Sequence, residues 1–223
     1  MYDALIILNG EIPSPKYWRH FKYRTLICTD GAALPLKEMG ITPNIIIGDM
    51  DSISDGTQIA TVETLKKKFP SSQIFEFAEQ DTTDFEKVLQ FAQDNQLHNI
   101  LCMGVLGKAA DHSIYNLCLL YRFSKSLKLL VFHHYEELGQ WIFVLPAKCQ
   151  IQAPTESHIS FFPLPEATLF TQGLKWELNR SILSTLGHTS MRNRTVRESI
   201  NIECLGACLC FLTCSTTPII QEL

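Results

Sequence analysis

The chain has 223 residues, of which 46% are apolar and only 19% are charged. This apolar content excludes an intrinsically disordered chain, which could not bury enough apolar surface to offset its ordering entropy. The 19 basic and 23 acidic residues give a formal net charge of −4. The chain therefore lacks the strong positive field that binding to nucleic acid or to an anionic membrane surface requires.

Short apolar runs alternate with helical patterns over residues 1–145. The apolar runs are 4–8, 25–29, 44–47, 73–77, 99–103 and 127–132. The helical patterns are 32–39, 57–69, 82–94 and 111–123, and the last carries an apolar stripe of Ile114, Leu117, Cys118 and Tyr121. Uninterrupted apolar strands separated by helices predict a doubly wound α/β domain with a mostly parallel sheet.

The pattern changes at Pro146, where segments become shorter and are separated by Pro and Gly. Strand-forming runs follow at 149–153, 158–162, 168–171, 181–183, 200–204 and 207–213. Closely spaced short strands are typical of a small all-β sandwich or barrel. We therefore expect two domains, residues 1–145 and residues 146–223. No apolar stretch reaches the roughly 20 residues that a membrane-spanning helix needs.

Eight cysteines are the most unusual feature of the composition. A disulfide framework is disfavoured, because the chain is long enough to build a core and begins in a strand pattern without a basic leader. Four of the cysteines, between Cys204 and Cys214, have a spacing that differs from common zinc sites and lie in an apolar segment. Buried free thiols in a reduced, cytoplasmic protein are the favoured interpretation.

Acidic residues follow the strands of the first domain. Asp30-Gly31 ends the second strand, and Asp49 and Asp51 end the third. In an extended chain, two acids at that spacing point to the same side. Convergent carboxylates suit Mg²⁺, which binds a few carboxylates together with substrate phosphate oxygens. The alternative is an ordinary turn, since Asp, Ser and Gly are turn residues.

Two further strand ends carry polar residues. Asp81 and Asp84 precede a helix, where they are also explained by helix capping. The segment 104–108 combines glycines with Lys108, which suits a phosphate but lacks the spacing of a Walker loop. His112 opens the next helix and has an alternative role as an ordinary polar residue. Because ligands of such folds bind at the carboxyl ends of the strands, this recurrence predicts a nucleotide site with Mg²⁺.

At these positions the sequence resembles the thiamine pyrophosphokinase family. The similarity spans nearly the whole chain, and its motifs occur in order. They are Asp-Gly-Ala at 30–32, Pro-Asn-Ile-Ile-Ile-Gly-Asp-Met-Asp-Ser-Ile at 43–53, Gln-Asp-Thr-Thr-Asp-Phe-Glu-Lys at 80–87, the segment 104–112 with Asp111-His112, and Gly-Leu-Lys-Trp-Glu-Leu at 173–178.

The resemblance implies transfer of the terminal diphosphate of ATP to the hydroxyl of thiamine, with release of AMP. It implies a homodimer with its active site at the subunit interface. It assigns Mg²⁺ to Asp49, Asp51 and Asp84, and catalysis to these three together with Asp81. It assigns ATP to Asp30, Gly31, Gln80, Thr83, Lys108, Asp111 and His112, and thiamine to Trp176, Ser190 and Asn193.

The sequence departs from the family pattern at three places. Ala32, Ala33 and Leu34 replace a glycine and an asparagine, Lys108 replaces an arginine, and Ser-Met-Arg-Asn at 190–193 replaces Ser-Thr-Ser-Asn. Two alternatives therefore stay open: a phosphatase with Asp49 as nucleophile and Asp51 as acid, or a thiamine- or nucleotide-binding protein without turnover. An Asp-x-Asp pair after the third strand disfavours the phosphatase, and the retained acids disfavour loss of turnover.

Overall fold

The structure is a computed structural model that describes residues 1–50, 62–77, 79 and 81–223. The chain divides into two compact units, Met1–Leu129 and Leu130–Leu223. The expected domain boundary near residue 145 stays a prediction. Among the described residues, no helix is both long and apolar enough to cross a membrane.

The first unit contains a parallel sheet with helices between its strands. The strands are β1 (Tyr2–Ile7), β2 (Tyr23–Thr29), β3 (Ile45–Gly48), β4 (Gln73–Glu76) and β5 (Asn99–Met103). The helices are α1 (Asp30–Glu38), α2 (Val62–Lys68), α3 (Asp84–Asp94) and α4 (Ala110–Phe123). The predicted doubly wound α/β class is confirmed. Of the predicted helix 57–69, residues 57–61 lie outside the described part of the chain.

The strand order in this unit is β5-β1-β2-β3-β4, with all neighbours parallel. The chain moves outward from β1 to β4 and then crosses back to place β5 on the other side of β1. The connections after β1 and β5 therefore leave the sheet in opposite directions, which opens a crevice at their carboxyl ends. This reversal fixes where the unit can bind a ligand.

Helix α4 buries a different face from its most evident apolar stripe. Ile114, Cys118 and Tyr121 are exposed, whereas the helix buries Asn116, Leu119, Leu120 and Phe123. Both faces of α4 are rich in apolar residues, so spacing alone did not identify the buried one. The expectation of buried thiols is accordingly wrong for Cys118; all eight cysteines are free, and the other seven are buried.

The second unit is built from antiparallel strands, in agreement with the predicted β sandwich. Its strands are β6 (Lys128–Tyr135, beginning two residues before the unit), β7 (Leu138–Val144), β8 (Lys148–Gln152), β9 (His158–Gln172), β10 (Ser181–Ser184), β11 (Ser190–Arg194), β12 (Ser199–Cys214) and β13 (Ile219–Glu222). Strand β12 pairs with β9 along one edge. Along its other edge it pairs first with β8 and then with β7.

The two longest strands were each predicted as two shorter ones. The runs 158–162 and 168–171 belong to β9, and the runs 200–204 and 207–213 belong to β12. Prolines and Gly206 suggested breaks at these points. Instead, the register shifts between Gly206 and Cys208, and Gly206 has a φ of +104°. A glycine bulge of this kind bends a strand without ending it.

Candidate active site

Three acids that lie far apart in the sequence meet at the carboxyl edge of the parallel sheet. Asp30 is the first residue of α1 after β2, Asp49 follows β3 directly, and Asp84 is the first residue of α3. Strands β2 and β3 are neighbours, and α3 packs against both. We call Asp30, Asp49, Asp84 and the adjoining Lys87 the acidic cluster.

Asp30 is fully buried and is held by the backbone. Its Oδ2 accepts a hydrogen bond from the Met50 amide at 2.9 Å, and its Oδ1 accepts from the Gly31 amide. A side chain at position 48 would not fit, because a Cβ there would lie 2.5 Å from Asp30 Cγ. The glycine that ends β3 therefore makes room for the first acid of the cluster.

The three carboxylates of the cluster repel one another, and burial keeps water from screening that repulsion. Burial raises the pKa of Asp30 to about 7, and the charges of Asp84 and Asp49 contribute to the rise. Burial and the charge of Asp49 also raise the pKa of Asp84, although Lys87 and a hydrogen bond with Asp30 act in the opposite direction. Like charges close together in a low-dielectric setting disfavour ionisation. A cation in this cluster would relieve that repulsion.

Lys87 supplies one such cation. It lies one turn after Asp84 on α3, and only 3% of its side chain is exposed. Its Nζ lies 3.2 Å from Asp49 Oδ2 and 3.5 Å from Asp84 Oδ1. Lys87 was not among the predicted site residues, because a lysine three positions after a helix-opening acid resembles an ordinary surface ion pair.

Two predicted residues, Asp51 and Gln80, lie outside the described part of the chain. Within the part that is described, no group of three or more His, Cys, Asp or Glu is arranged to hold a metal ion. Asp49 and Asp84 nevertheless converge on a single cation, Lys87 Nζ, and carboxylate oxygens are the donors that a hard divalent ion prefers. This donor chemistry fits a magnesium ion.

A cleft of about 220 Å³ opens beside the acidic cluster, at the crevice between β1 and β5. Backbone hydrogen bonds join its two walls: the Gly10 amide donates to Gly104 O at 2.9 Å, and the Glu11 amide donates to Leu106 O at 2.7 Å. A Cβ on Gly10 or Gly104 would lie 2.2 Å from a carbonyl oxygen of the other wall. Only glycines allow the walls to approach so closely. The residues that line the cleft include Asn9, Thr29, Thr83, Asp84, Gly107, Lys108, His112 and Asn116.

Asn9 connects the two walls through its side chain. Its Oδ1 accepts a hydrogen bond from Lys108 Nζ. A Cβ at position 31 would lie 2.3 Å from Asn9 Nδ2, so Gly31 leaves space for the amide group. Asn9 was not among the predicted site residues. The Asn-Gly pair that ends the first strand, at the same edge as the acids, was the signal that could have identified it.

The helix-capping interpretation of Asp81 is wrong. Thr83 is the N-cap of α3, and its Oγ1 accepts a hydrogen bond from the Glu86 amide at 3.4 Å. Asp81 is exposed instead. Thr83 and Asp84 line the cleft, whereas Asp81 is not one of its lining residues.

The β5–α4 connection brings two predicted residues to the cleft. Lys108 and His112 are lining residues. Asp111 is exposed, and its Oδ1 accepts a hydrogen bond from the His112 amide at 2.9 Å. Asp111 therefore supports the first turn of α4, and its predicted contact with ATP stays a prediction.

Two of the three predicted thiamine residues of the second unit, Trp176 and Asn193, are directly connected. Trp176 is 56% exposed. Its backbone is held by buried Asn193, whose Oδ1 accepts from the Trp176 amide at 3.2 Å and whose Nδ2 donates to Trp176 O at 2.7 Å. Ser190 is buried and lies on the same strand, β11, as Asn193. Asn193 thus fixes the loop that presents the Trp176 ring.

The carboxylate of Glu177 fixes the same loop. Its Oε1 accepts hydrogen bonds from the Gly173 and Leu174 amides at 2.7 and 3.1 Å, and its Oε2 accepts from Thr171 Oγ1 at 2.9 Å. Lys175 Nζ lies 4.8 Å from the centre of the Trp176 ring. A cation therefore already approaches this aromatic side chain, as expected of the electron-rich face of an indole.

The fold and the polar edge define a two-unit protein with an acidic, glycine-walled ligand site in its α/β unit. Two family models match the chain: thiamin pyrophosphokinase, catalytic domain, over residues 14–132, and thiamin pyrophosphokinase, vitamin B1 binding domain, over residues 148–208. The chain belongs to the thiamin pyrophosphokinase family.

Individual relatives agree with this assignment. The chain is 30% identical to thiamine pyrophosphokinase 1 of Arabidopsis thaliana, over 90% of this chain and 82% of the relative. It is 29% identical to thiamine pyrophosphokinase 1 of Oryza sativa subsp. japonica, over 89% of this chain and 82% of the relative. The crystal structure of thiamine pyrophosphokinase from Bacillus subtilis has the same fold, with a TM-score of 0.75 and 23% identity. The match covers 96% of this chain and 99% of the Bacillus subtilis chain.

Proposed function

We propose that this chain is an ATP-dependent thiamine diphosphokinase, which transfers the terminal diphosphate of ATP to the hydroxyl of thiamine and releases AMP. The observation that carries the proposal is the family match across both units, together with the acidic cluster in the first unit and the exposed Trp176 in the second. The phosphatase alternative gives no role to the loop that presents Trp176.

The acidic cluster suits the phosphate chemistry of this reaction. Transfer of a diphosphate needs in-line positioning and neutralisation of phosphate oxygens, and a bound Mg²⁺ supplies the neutralisation. In the proposal Asp49 and Asp84 hold the metal with Asp51. Asp81 and Asp84 are the candidate acceptors for the proton that the thiamine hydroxyl loses.

The glycine-walled cleft suits the triphosphate of ATP. Its close-packed walls leave backbone groups and the Lys108 ammonium at the surface, without bulky side chains between them and a ligand. Lys108 is tethered by Asn9, so the charge is held at the cleft. A lysine offers a point charge where an arginine offers a bidentate fork, so the phosphate contacts here differ from those of an arginine-bearing site.

The Trp176 loop suits thiamine. Thiamine combines a cationic thiazolium with a flat pyrimidine, and an exposed indole held by Asn193 and Glu177 can stack on either ring. Asn193 is buried against this loop, and Ser190 is buried on the same strand, β11. In this proposal Asn193 acts by orienting Trp176.

A direct assay tests the activity. The purified protein is incubated with ATP, Mg²⁺ and thiamine, and the products are separated by chromatography. We expect AMP and thiamine diphosphate in equal amounts, and neither without thiamine. Release of inorganic phosphate that does not depend on thiamine would instead establish the phosphatase alternative, and binding of both substrates without products would establish the non-catalytic one.

The proposal includes a homodimer whose active site is shared between subunits, as the resemblance implies. Mixing two impaired variants, assayed at thiamine concentrations well below the KM, tests it: one carries Asp84→Asn in the first unit and the other Trp176→Ala in the second. If the site is shared, mixed dimers regain part of the activity, because one of their two sites has both residues intact. No recovery after exchange of subunits would restrict the site to one chain.

A cytoplasmic location is also part of the proposal. Its support is that all eight cysteines are free, as expected of a reducing compartment. Cell fractionation with an antibody against the protein is the test.

A further inference from the structure

Lys87 occupies a position that a charged side chain rarely occupies. Its side chain is 97% buried, and its ammonium contacts two carboxylates from different elements, Asp49 after β3 and Asp84 on α3. A buried ammonium is costly unless it is paired. The location of Lys87 is therefore specified by the acids around it.

The same two acids are the described members of the proposed magnesium set. Their third neighbour, Asp30, is fully buried and forms a hydrogen bond with Asp84, so the cluster combines three carboxylates with one ammonium. Without that ammonium, the carboxylates of Asp49 and Asp84 would lose the cation that contacts both of them. Lys87 thus provides in the metal-free protein the neutralisation that a metal would provide.

We propose that Lys87 is a built-in counter-ion of the metal site, which holds Asp49 and Asp84 together before the metal binds and competes with the metal for them. This inference rests on the proposed function, because the metal belongs to it. Lys87 is a positioning residue in this scheme. It keeps the two carboxylates convergent, and its positive charge lowers the affinity of the site for a divalent ion.

The competition predicts a definite direction of change. Replacing Lys87 with methionine keeps most of the buried volume but removes the charge. The two carboxylates then repel each other, so the metal-free protein loses stability, and a divalent ion no longer meets a neighbouring ammonium. A residue with a purely structural role would lower stability without increasing the affinity for a metal.

Calorimetric titration of Mg²⁺ into the full-length protein without ATP measures this effect. We expect Lys87→Met to bind Mg²⁺ about tenfold more tightly than the wild type, and its melting temperature to rise more on addition of Mg²⁺. Lys87→Arg, which keeps the charge, should bind within about threefold of the wild type. The control is Lys125→Met, the same change at an exposed lysine near the end of α4.

Unchanged or weaker Mg²⁺ binding in Lys87→Met overturns the inference, and so does a wild type that binds no Mg²⁺. The assay of diphosphate transfer is independent of this titration. If the wild type makes thiamine diphosphate but Lys87→Met binds Mg²⁺ with the wild-type affinity, the inference is refuted and the proposed function is unaffected. If Lys87→Met does not fold without metal, its recovery with Mg²⁺ supports the inference. If it does not recover, the titration is repeated with Lys87→Gln. Tighter Mg²⁺ binding by Lys87→Gln then supports the inference, and unchanged or weaker binding overturns it.

Discussion

The acidic cluster of the first unit and the Trp176 loop of the second present their functional groups in opposite ways. In the cluster, the charged side chains are buried or half-buried, and backbone amides and Lys87 hold them. In the loop, the functional side chain is 56% exposed, and the buried side chain of Asn193 together with the carboxylate of Glu177 holds the loop backbone.

The difference reflects what each group does chemically. Carboxylates that bind a metal gain strength from a low dielectric, but they need nearby donors and a counter-charge to be kept there. An aromatic ring that stacks on a ligand must be accessible, so rigidity has to come from the chain that carries it. Substitutions that change charge or volume should therefore impair the acidic cluster most. The Trp176 loop should be most sensitive to loss of the hydrogen bonds that anchor it.

The largest effect should come from removing a charge of the acidic cluster. Asp84→Asn keeps the shape of the side chain but removes a metal-binding carboxylate and a partner of Lys87. We expect kcat/KM for diphosphate transfer to fall about a hundredfold or more. Asp94→Asn, at the other end of the same helix, is the control and should retain activity. Equal activity of Asp84→Asn and the wild type would remove Asp84 from the metal set.

A steric change tests whether the cluster depends on space as well as charge. Gly48→Ala places a Cβ 2.5 Å from Asp30 Cγ, so Asp30 or β3 has to move. We expect a loss of about 2–3 kcal/mol in the free energy of unfolding, measured in urea, together with reduced activity. In Gly187→Ala the new Cβ would lie 3.7 Å from Ser184 Cβ, an ordinary contact, and the stability should hardly change. Similar stability of the two variants would contradict the packing argument.

Removing the anchor of the Trp176 loop tests the other half of the comparison. Asn193→Ala deletes both hydrogen bonds to the Trp176 backbone and leaves buried groups without their partner. The expected cost is about 1–3 kcal/mol in unfolding free energy, with a higher KM for thiamine and an unchanged KM for ATP. A rise in the KM for ATP instead would show that Asn193 serves the first unit's ligand.

The smallest effect should come from the exposed ring itself. Trp176→Ala removes stacking and cation–π attraction, worth about 1–2 kcal/mol, so the KM for thiamine should rise about tenfold. The melting temperature should stay near that of the wild type, because the side chain is largely exposed. Trp176→Phe should recover part of the affinity. A collapse of stability in Trp176→Ala would identify the residue as part of the core.

The sequence predicted the architecture and the edge that carries the site, because apolar strands followed by acids determine both. It predicted that Asp30, Asp49 and Asp84 would share that edge. It did not identify Lys87 or Asn9, since both become functional only through neighbours that are distant in sequence. Nor could it show that Asn193 binds a backbone, because an asparagine that anchors a loop and one that contacts a ligand look the same in a sequence.

Local signals were also overridden by tertiary structure. Gly206 and the prolines of β9 were interpreted as strand ends, but a bulge keeps β9 and β12 continuous. In α4, Asn116 belongs to the buried face because its Nδ2 donates to Val105 O at 2.9 Å. A polar residue on that face made the apolar stripe with Ile114 and Cys118 appear to be the buried one.

Cys118 is the one exposed thiol among the eight cysteines, so it is the site that a thiol reagent can label. Burial raises the pKa of the Cys204 and Cys214 thiols to about 11, and the remaining buried thiols are shifted further in the same direction. A maleimide dye added to the native enzyme at neutral pH should therefore label one position. That position lies on the helix whose first turns carry His112 and Asn116 at the cleft. A fluorophore there would report nucleotide binding without any engineered cysteine.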